Sequence, residues 1–326
     1  MSVDLSALAV TANGRIKTST SAVLGRFGFL NYVKPIIQPA GVTTTKVGAS
    51  VSSNMWTSGN NGSPTPVDIE SMAGSVTPIP FEVSKKVELG DATTYADQVA
   101  GAVDDFLNGF YSTMEELWGT SVLGADAFTH PASGEAYVFP FGGSAGDASF
   151  YADNVTIDPV SGAANFNQTN LYSATIGSST LESMCAARLN ARDFSGDRAP
   201  RPIGKGLLFA NTSLGMQGES HLARTNEGLD GAGAQLLAGF GDRLMGPVHI
   251  DSKVTGANVV WGAMWSRPAT LFGGEYDLYP VHPVVKEGLS IRIERSTNSN
   301  HIYVLGYAKL GILFHPFQYD LQISIA

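Results

Sequence analysis

Cysteine is almost missing: Cys185 is the single thiol in 326 residues. One thiol excludes an intramolecular disulfide and any cysteine-rich zinc or iron–sulfur site, and it fits folding in a reducing cytoplasm. Charge is scarce too, at 15% of residues against about 25% in an ordinary soluble protein. No window approaches the roughly 18 consecutive apolar residues that a membrane-spanning helix requires. The first dozen residues hold a short apolar run, but Asp4 stands where a signal peptide carries positive charge and the first basic residue is Arg15. The expectation is a soluble product, made inside the cell, with no membrane partner. A basic footprint is absent as well. The 20 basic residues face 29 acidic ones, for a formal net charge of −9, which excludes a protein that gains affinity by neutralising phosphates. A wall around nucleic acid remains allowed, because such a wall should not grip its contents. No internal repeat or sustained heptad is visible.

What is present is apolar and small. Hydrophobic residues reach 43%, so the chain is globular rather than disordered, and its length suits one elaborated domain or two moderate ones. Glycine, at 37 residues, exceeds the usual share of about 7%. A monomer of this size normally solvates itself with Lys, Glu, Arg and Asp. A chain that uses Ser, Thr, Asn and Gly instead covers much of its outside with copies of itself, although a secreted β-protein has a similar composition.

Along the chain, residues 1–18 are small, polar and without strong periodicity, and read as an extended arm. Residues 19–33 mix Val23, Leu24, Phe27, Phe29 and Leu30 with glycine, as a short helix or strap. The β-branched run Val42–Val47 reads as a strand. The cluster Ser58–Pro64 is turn punctuation, and Thr77–Ser84 reads as a second strand. The two strands predict a long hairpin with little to bury by itself. The clearest helix spans Asp91–Trp118, where Tyr95, Val99, Val103, Phe106, Phe110, Met114 and Leu117 recur at spacings of three and four. Asp91, Thr93 or Thr94 can cap its start, and Gly119 or Gly124 can end it. Its 28 residues would extend roughly 42 Å. Tyr137–Phe141 and Asn154–Asp158 are short strand candidates. A second helix begins near Ser178–Thr180 and turns Leu181, Met184, Cys185 and Leu189 inward. Ile203–Ala210 reads as a buried strand, and a short helix or turn covers Asn211–Arg224. The remainder is strands and turns: Val259–Met264, Leu289–Glu294, Ile302–Leu305, Leu310–Phe314 and Gln318–Ile325.

This order of elements resembles the major capsid protein of tailed bacteriophages, the Hong Kong 97 type of fold that encapsulins share. Three stretches carry the resemblance. Thr77–Glu88 is similar to the strand that hands over to the family's spine helix. The helix at 179–192 with Pro200–Leu214 is similar to its helix, connector and buried strand, although Ala210-Asn211-Thr212 stands where family members often have a proline turn. Leu244–Ser252 with Val259–Met264 looks like the late segment. The resemblance implies an α+β fold with an N-terminal arm and short helix (1–33), an E-loop hairpin and return strand (34–90), the spine helix of the P-domain (91–124), and the A-domain with the remaining P-domain strands (125–326). It also implies a structural head protein that assembles through hexamers and pentamers into an icosahedral shell around phage double-stranded DNA. Such a subunit belongs to the virion, is put together in the host bacterial cytoplasm, and can have scaffolding, portal and decoration proteins as further partners. An encapsulin-type compartment is the alternative within the fold.

No catalytic, cofactor-binding or metal site is assigned, and no cofactor is expected. Gly142-Gly143-Ser144-Ala145-Gly146 matches the G-x-S-x-G of a nucleophile elbow, which needs a helix directly after the serine. Asp147–Asn154 is not helical in pattern, so a glycine-rich loop is preferred, and a serine hydrolase using Ser144 stands as the alternative from another class. His130, His221, His249, His282, His301 and His315 form no H-x-x-x-H pair and have no cysteine or close carboxylate at ligand spacing, so they read as surface or interface residues. Asp104, Asp105, Glu115 and Glu116 are placed on the helix face away from the apolar stripe, for solvation or pairing between subunits. Gly231-Ala232-Gly233 is only a fragment of a phosphate-binding loop. Lys46 is the one lysine between Lys34 and Lys85, and some members of the resembled family cross-link a lysine of this loop to a neighbour's asparagine. Solvation or an ion pair is the preferred reading here. Trp56, Trp118, Trp261 and Trp265 read as packing anchors.

Overall fold

The structure is a computed structural model that describes residues 4–39, 44–50, 70–76, 78–88, 92–122, 127–129, 133–138, 155–157, 164–168, 170–173, 178–191, 206–210, 245–250, 260–296, 301–314 and 320–325. The chain starts with helix α1 (Leu5–Leu24). Asp4 caps it, its carboxylate accepting the N–H groups of Ser6 at 3.0 Å and Ala7 at 3.2 Å. The Ser6 hydroxyl also donates to this carboxylate, and that bond is the main reason its pKa lies below the ordinary value. The expected extended arm is therefore corrected to a helix. Leu5, Leu8, Ala9, Ala12, Ile16, Val23 and Leu24 lay an apolar stripe along one side, all of them on the main core, and the cap fixes the first turn. The helix rests on its own chain, against the helix at 92–122 and the strand at 281–295. A five-residue helix, α2 (Gly28–Tyr32), follows and buries Phe29 and Leu30.

Next come β1 (Ile36–Ile37), β2 (Thr44–Ser50), β3 (Glu70–Ser75) and β4 (Ile79–Glu88). The hairpin expected between residues 42–47 and 77–84 is corrected. The partner of β2 is β3, with Thr44 opposite Ser75 and Ser50 opposite Glu70, and these two strands form a sheet of their own. β4 joins a different sheet. Its alternation puts Ile79, Phe81 and Val87 on the core, a hydrophobic demand that the Thr- and Ser-rich β2 could not meet.

Helix α3 (Ala92–Val122) runs 31 residues, roughly 46 Å. It buries Val99, Ala102, Val103, Phe106, Leu107, Phe110, Tyr111, Met114, Leu117 and Trp118. The buried band is wider than the expected stripe, and the helix continues past Gly119 instead of ending there. β5 (Ala127–Thr129) pairs with β6 (Ala136–Val138), and β7 (Val155–Ile157) with β8 (Ala164–Gln168). β9 (Leu171–Tyr172) and helix α4 (Ser178–Asn190) follow, then β10 (Gly206–Ala210), every residue of which is buried. The remaining strands are β11 (Met245–Ile250), β12 (Val260–Met264), β13 (Arg267–Leu271), β14 (Gly274–Leu278), β15 (Val281–Arg295), β16 (His301–Phe314) and β17 (Leu321–Ile325).

Two larger sheets organise these elements, in the orders β1-β15-β16-β4 and β11-β10-β12-β17-β9. Ile291, Ile293, Ile302, Val304 and Ala308 turn one face of the first sheet toward α1 and α3. A Cβ on Gly306 would lie 2.9 Å from the Phe106 ring and 2.8 Å from Val83, so any side chain here forces these neighbours to shift. In the second sheet, a Cβ on Gly262 would lie 2.5 Å from the Gln322 carbonyl oxygen. Phe29 stacks on Trp118 with ring centres 3.6 Å apart, and Phe209 meets the same indole edge-on. These contacts tie α2, α3 and the second sheet into one core. A smaller cluster of Ile36, Val76, Leu271, Leu278, Val284 and Leu313 lies on the other side of β15 and β16, under the β13–β14 hairpin.

Candidate assembly surfaces

Among the described residues, no helix packs on one face of the four-stranded sheet. Alternation along the strands places three rows there: Lys86, Tyr303 and Glu294; Ser84, Leu305 and Arg292; Glu82, Tyr307 and Ser290. Tyr303 is 39% exposed. A shallow groove of about 810 Å³ runs between the rows, lined by Glu82, Ser84, Ser290, Arg292, Leu305 and Tyr307 among others. The face is mixed in charge, so it selects neither an anionic nor a cationic ligand. An antiparallel sheet tolerates one solvated face when its outward residues are polar, as these are apart from Leu305. Its edge strand β4 carries Pro80, Lys85 and Lys86, the residue types that discourage uncontrolled edge pairing.

The β2–β3 ribbon is the second surface. Val76, directly after β3, is buried against the smaller cluster, which fixes the root of the ribbon. β2 passes β13 and β3 passes β16. From there the ladder extends over six residues of β3, roughly 20 Å. Its thirteen residues, TTKVGAS and ESMAGS, contain Val47 and Met72 as their only large apolar side chains. Three further large apolar side chains are exposed on separate elements: Val10 at 73% on α1, Tyr32 at 50% on α2 and Ile37 at 68% on β1.

Polar contacts hold the bodies that carry these surfaces. The Asn13 amide bonds both backbone groups of Ile291: it donates to the carbonyl at 3.0 Å and accepts the N–H at 3.0 Å. It thereby completes the edge of β15 as a neighbouring strand would. Arg15 meets Asp104 at 2.6 Å and Lys85 meets Asp105 at 2.5 Å, both near solvent. The hydrogen bond from Arg15 keeps the Asp104 carboxyl below its usual range. A deeper group joins α4, β13 and β17. Asp320, 1% exposed, lies 2.8 Å from the Arg188 guanidinium, itself 2% exposed, and also accepts from Arg267. The Asp320 carbonyl takes the Trp265 N–H at 2.8 Å. Cys185 packs beside Trp265 and Leu208, and burial raises its thiol to about 11, which makes it inert.

The individual sequence candidates divide clearly. Ser144, Gly231, Gly233, Trp56, His130, His221 and His315 lie outside the described residues, and so does the expected helix or turn at 211–224. His249 is on β11, Trp261 on β12 and Lys46 on β2, opposite Ala73. Trp118 and Trp265 are fully buried anchors, as expected. Two expectations are corrected. His282 is 1% exposed rather than superficial, because residues 281–285 are covered on both sides by the two clusters. Glu115 is only 8% exposed, whereas Asp105 and Glu116 are outward as expected; the buried band of α3 is broad enough to reach it. Among the described residues, no group of three or more His, Cys, Asp or Glu side chains could hold a metal ion. No described helix is long and apolar enough to cross a membrane.

No family model matches the sequence, and no curated protein does. Solved structures with a similar backbone do exist. One is from Mycobacterium phage Patience, at 13% identity and a TM-score of 0.47, covering 99% of this chain and 88% of that one. Another is the capsid of Myoviridae phage XM1, at 9% identity and 0.47, covering 92% of each chain. A third is a virus-like particle from Pyrococcus furiosus, at 9% identity and 0.44, covering 95% and 98%.

Proposed function

We propose that this chain is the subunit of a closed protein shell, the major capsid protein of a tailed bacteriophage, and that its work is assembly rather than catalysis. The observation that carries this reading is the β2–β3 ribbon, anchored at its root by Val76 and composed mostly of small and polar residues. A two-stranded ribbon is marginal in water by itself, and ordering its backbone costs about 1–2 kcal/mol per residue. Burial across the adjacent copy would offset that cost. In this reading the ribbon corresponds to the E-loop, α3 to the spine helix, the four-stranded sheet to the P-domain and the five-stranded sheet to the A-domain. α1 takes the place of the arm. Because it rests on its own chain, the part of the sequence that needs a neighbour is the ribbon. The open polar sheet face and the 15% charge content agree with an outside shared among copies.

Sedimentation of the purified full chain tests the proposal. A shell subunit gives species many times heavier than the 34.3 kDa chain, whereas a stable single molecule at high concentration overturns it. Nuclease-protected double-stranded DNA inside particles from the source organism supports the phage reading. Enclosed cargo protein in its place supports an encapsulin-type compartment.

A further inference from the structure

Proline residues flank a buried imidazole at the start of β15, in the run Pro280-Val281-His282-Pro283. Val281 and Val285 face the main core. His282 and Val284 alternate onto the other side, where Val284 meets Ile36 and Leu313 in the smaller cluster. Leu313 of β16 is also the strand partner of His282. The ring uses both nitrogens. Nδ1 accepts the Tyr279 N–H at 3.1 Å, and Nε2 lies 2.9 Å from the Lys34 carbonyl oxygen. A carbonyl can only accept, so Nε2 carries the proton and Nδ1 does not. Among the described residues, the groups that face the ring offer nothing to balance a positive charge. Tyr279 stacks on it with ring centres 6.2 Å apart and has its own hydroxyl engaged by Ser266, near Asp277. Lys34 contributes a carbonyl while its ammonium is exposed, and β16 contributes Leu313. Among the described residues no carboxylate contacts the imidazole.

A second proton on Nδ1 would therefore point at the Tyr279 N–H, remove its acceptor and create an unpaired buried charge. Lys34 lies just ahead of residues 36–38, which fasten this stretch to β15 in addition to the contacts that α1 makes with the same strand. Ile36 and Ile37 pair with Val284 and Val285, and the Gln38 N–H bonds the Val285 carbonyl at 2.9 Å. This strand is two residues long, and the histidine contact adds to the hold that buried Ile36 and the Gln38 bond give it. The same segment leads directly into the β2–β3 ribbon. We propose that His282 is an acid-released latch that fastens residues 34–38, and with them the root of the ribbon, to the body of the chain.

Burial lowers the affinity of this imidazole for a proton, from the ordinary value of 6.5 to about 4. Because the opened segment regains the ordinary value, opening becomes easier as pH falls through 6.5 and levels off below about 4. Between pH 7 and about pH 4.5, linkage gives roughly a fiftyfold rise in the opening equilibrium.

Hydrogen exchange by mass spectrometry on the full chain tests this, with labelling times corrected for intrinsic exchange. Residues 33–38 are expected to lose protection by about that factor, while residues 304–312 of β16 keep theirs. In His282→Gln, whose amide offers a donor and an acceptor but cannot charge, the loss disappears. Undiminished protection of residues 33–38 at pH 4.5, or the same loss in His282→Gln, overturns the proposal. If that variant does not fold, exchange of the imidazole C2 proton in the unaltered chain decides. A midpoint near 4 is expected, and a midpoint near 6.5 overturns it. Each readout concerns contacts within one chain, so the result stands whether or not the protein forms shells.

Discussion

Asp320→Asn is the sharpest perturbation of the interior. Asp320 is the carboxylate shared by the Arg188 and Arg267 guanidiniums, and it and Arg188 are almost completely buried. Arginine cannot discharge by losing its proton at any accessible pH. The asparagine variant therefore removes the buried carboxylate that these guanidiniums share, in a cluster that joins α4, β13 and β17. Breaking a buried pair from one side costs about 3–5 kcal/mol. Against a net stability of about 5–15 kcal/mol, that is a large share. The assay is urea unfolding followed by tryptophan fluorescence. Trp265 is fully buried and bonded to the Asp320 carbonyl, so it reports on the cluster. With a slope on the order of 3 kcal/mol per molar urea, the midpoint falls by more than about 1 M. Removing the two most buried charges together, as Arg188→Met with Asp320→Leu, leaves only the partly exposed Arg267 and costs less than Asp320→Asn alone. An unchanged midpoint in Asp320→Asn, or a double variant weaker than the single one, would refute the assignment of the cluster as a buried clamp.

Single contacts set the other expectations. Asn13→Ala removes two hydrogen bonds to Ile291, at about 0.5–1.5 kcal/mol each, and hydrogen exchange should show faster opening of α1 with little change in α3. Gly306→Val forces a side chain against Phe106 and Val83, costing about 1–3 kcal/mol, visible as a lower thermal midpoint. Trp118→Ala opens a cavity between Phe29 and Phe209, costing about 3–5 kcal/mol, whereas Arg15→Ala at the exposed Asp104 pair costs under about 1 kcal/mol. For His282 the unfolded chain binds the extra proton between pH 6.5 and 4, so stability falls by about 3 kcal/mol as pH drops across that window. A flat profile in His282→Gln confirms the source, and an identical profile denies it.

How far the sequence can be read depends on whether an element's neighbours lie near it in the chain. Helix α3 and helix α4 are legible because their apolar residues repeat at three and four, and β10 because it is uniformly apolar. The element order points to the architecture. Strand pairing is not legible: Val42–Val47 and Thr77–Ser84 look like two sides of one hairpin, yet β4 pairs with β16, more than 200 positions later. Only the demand of Ile79, Phe81 and Val87 for a core separates it from β2. The leading helix hides in the sequence because its stripe is diluted by Thr, Ser, Gly and Asn, and because Asn13 and Arg15 act on Ile291 and Asp104 rather than on solvent. His282 carries no local sign of burial. Its cover comes from Lys34 and Leu313, which only the fold brings to it.

Cryo-electron microscopy of the purified full-length chain decides whether the ribbon belongs to a neighbour. Closed shells are expected, with density for residues 44–50 and 70–75 lying over an adjacent copy. Isolated molecules, or particles in which those residues fold back onto the chain that carries them, would contradict the reading.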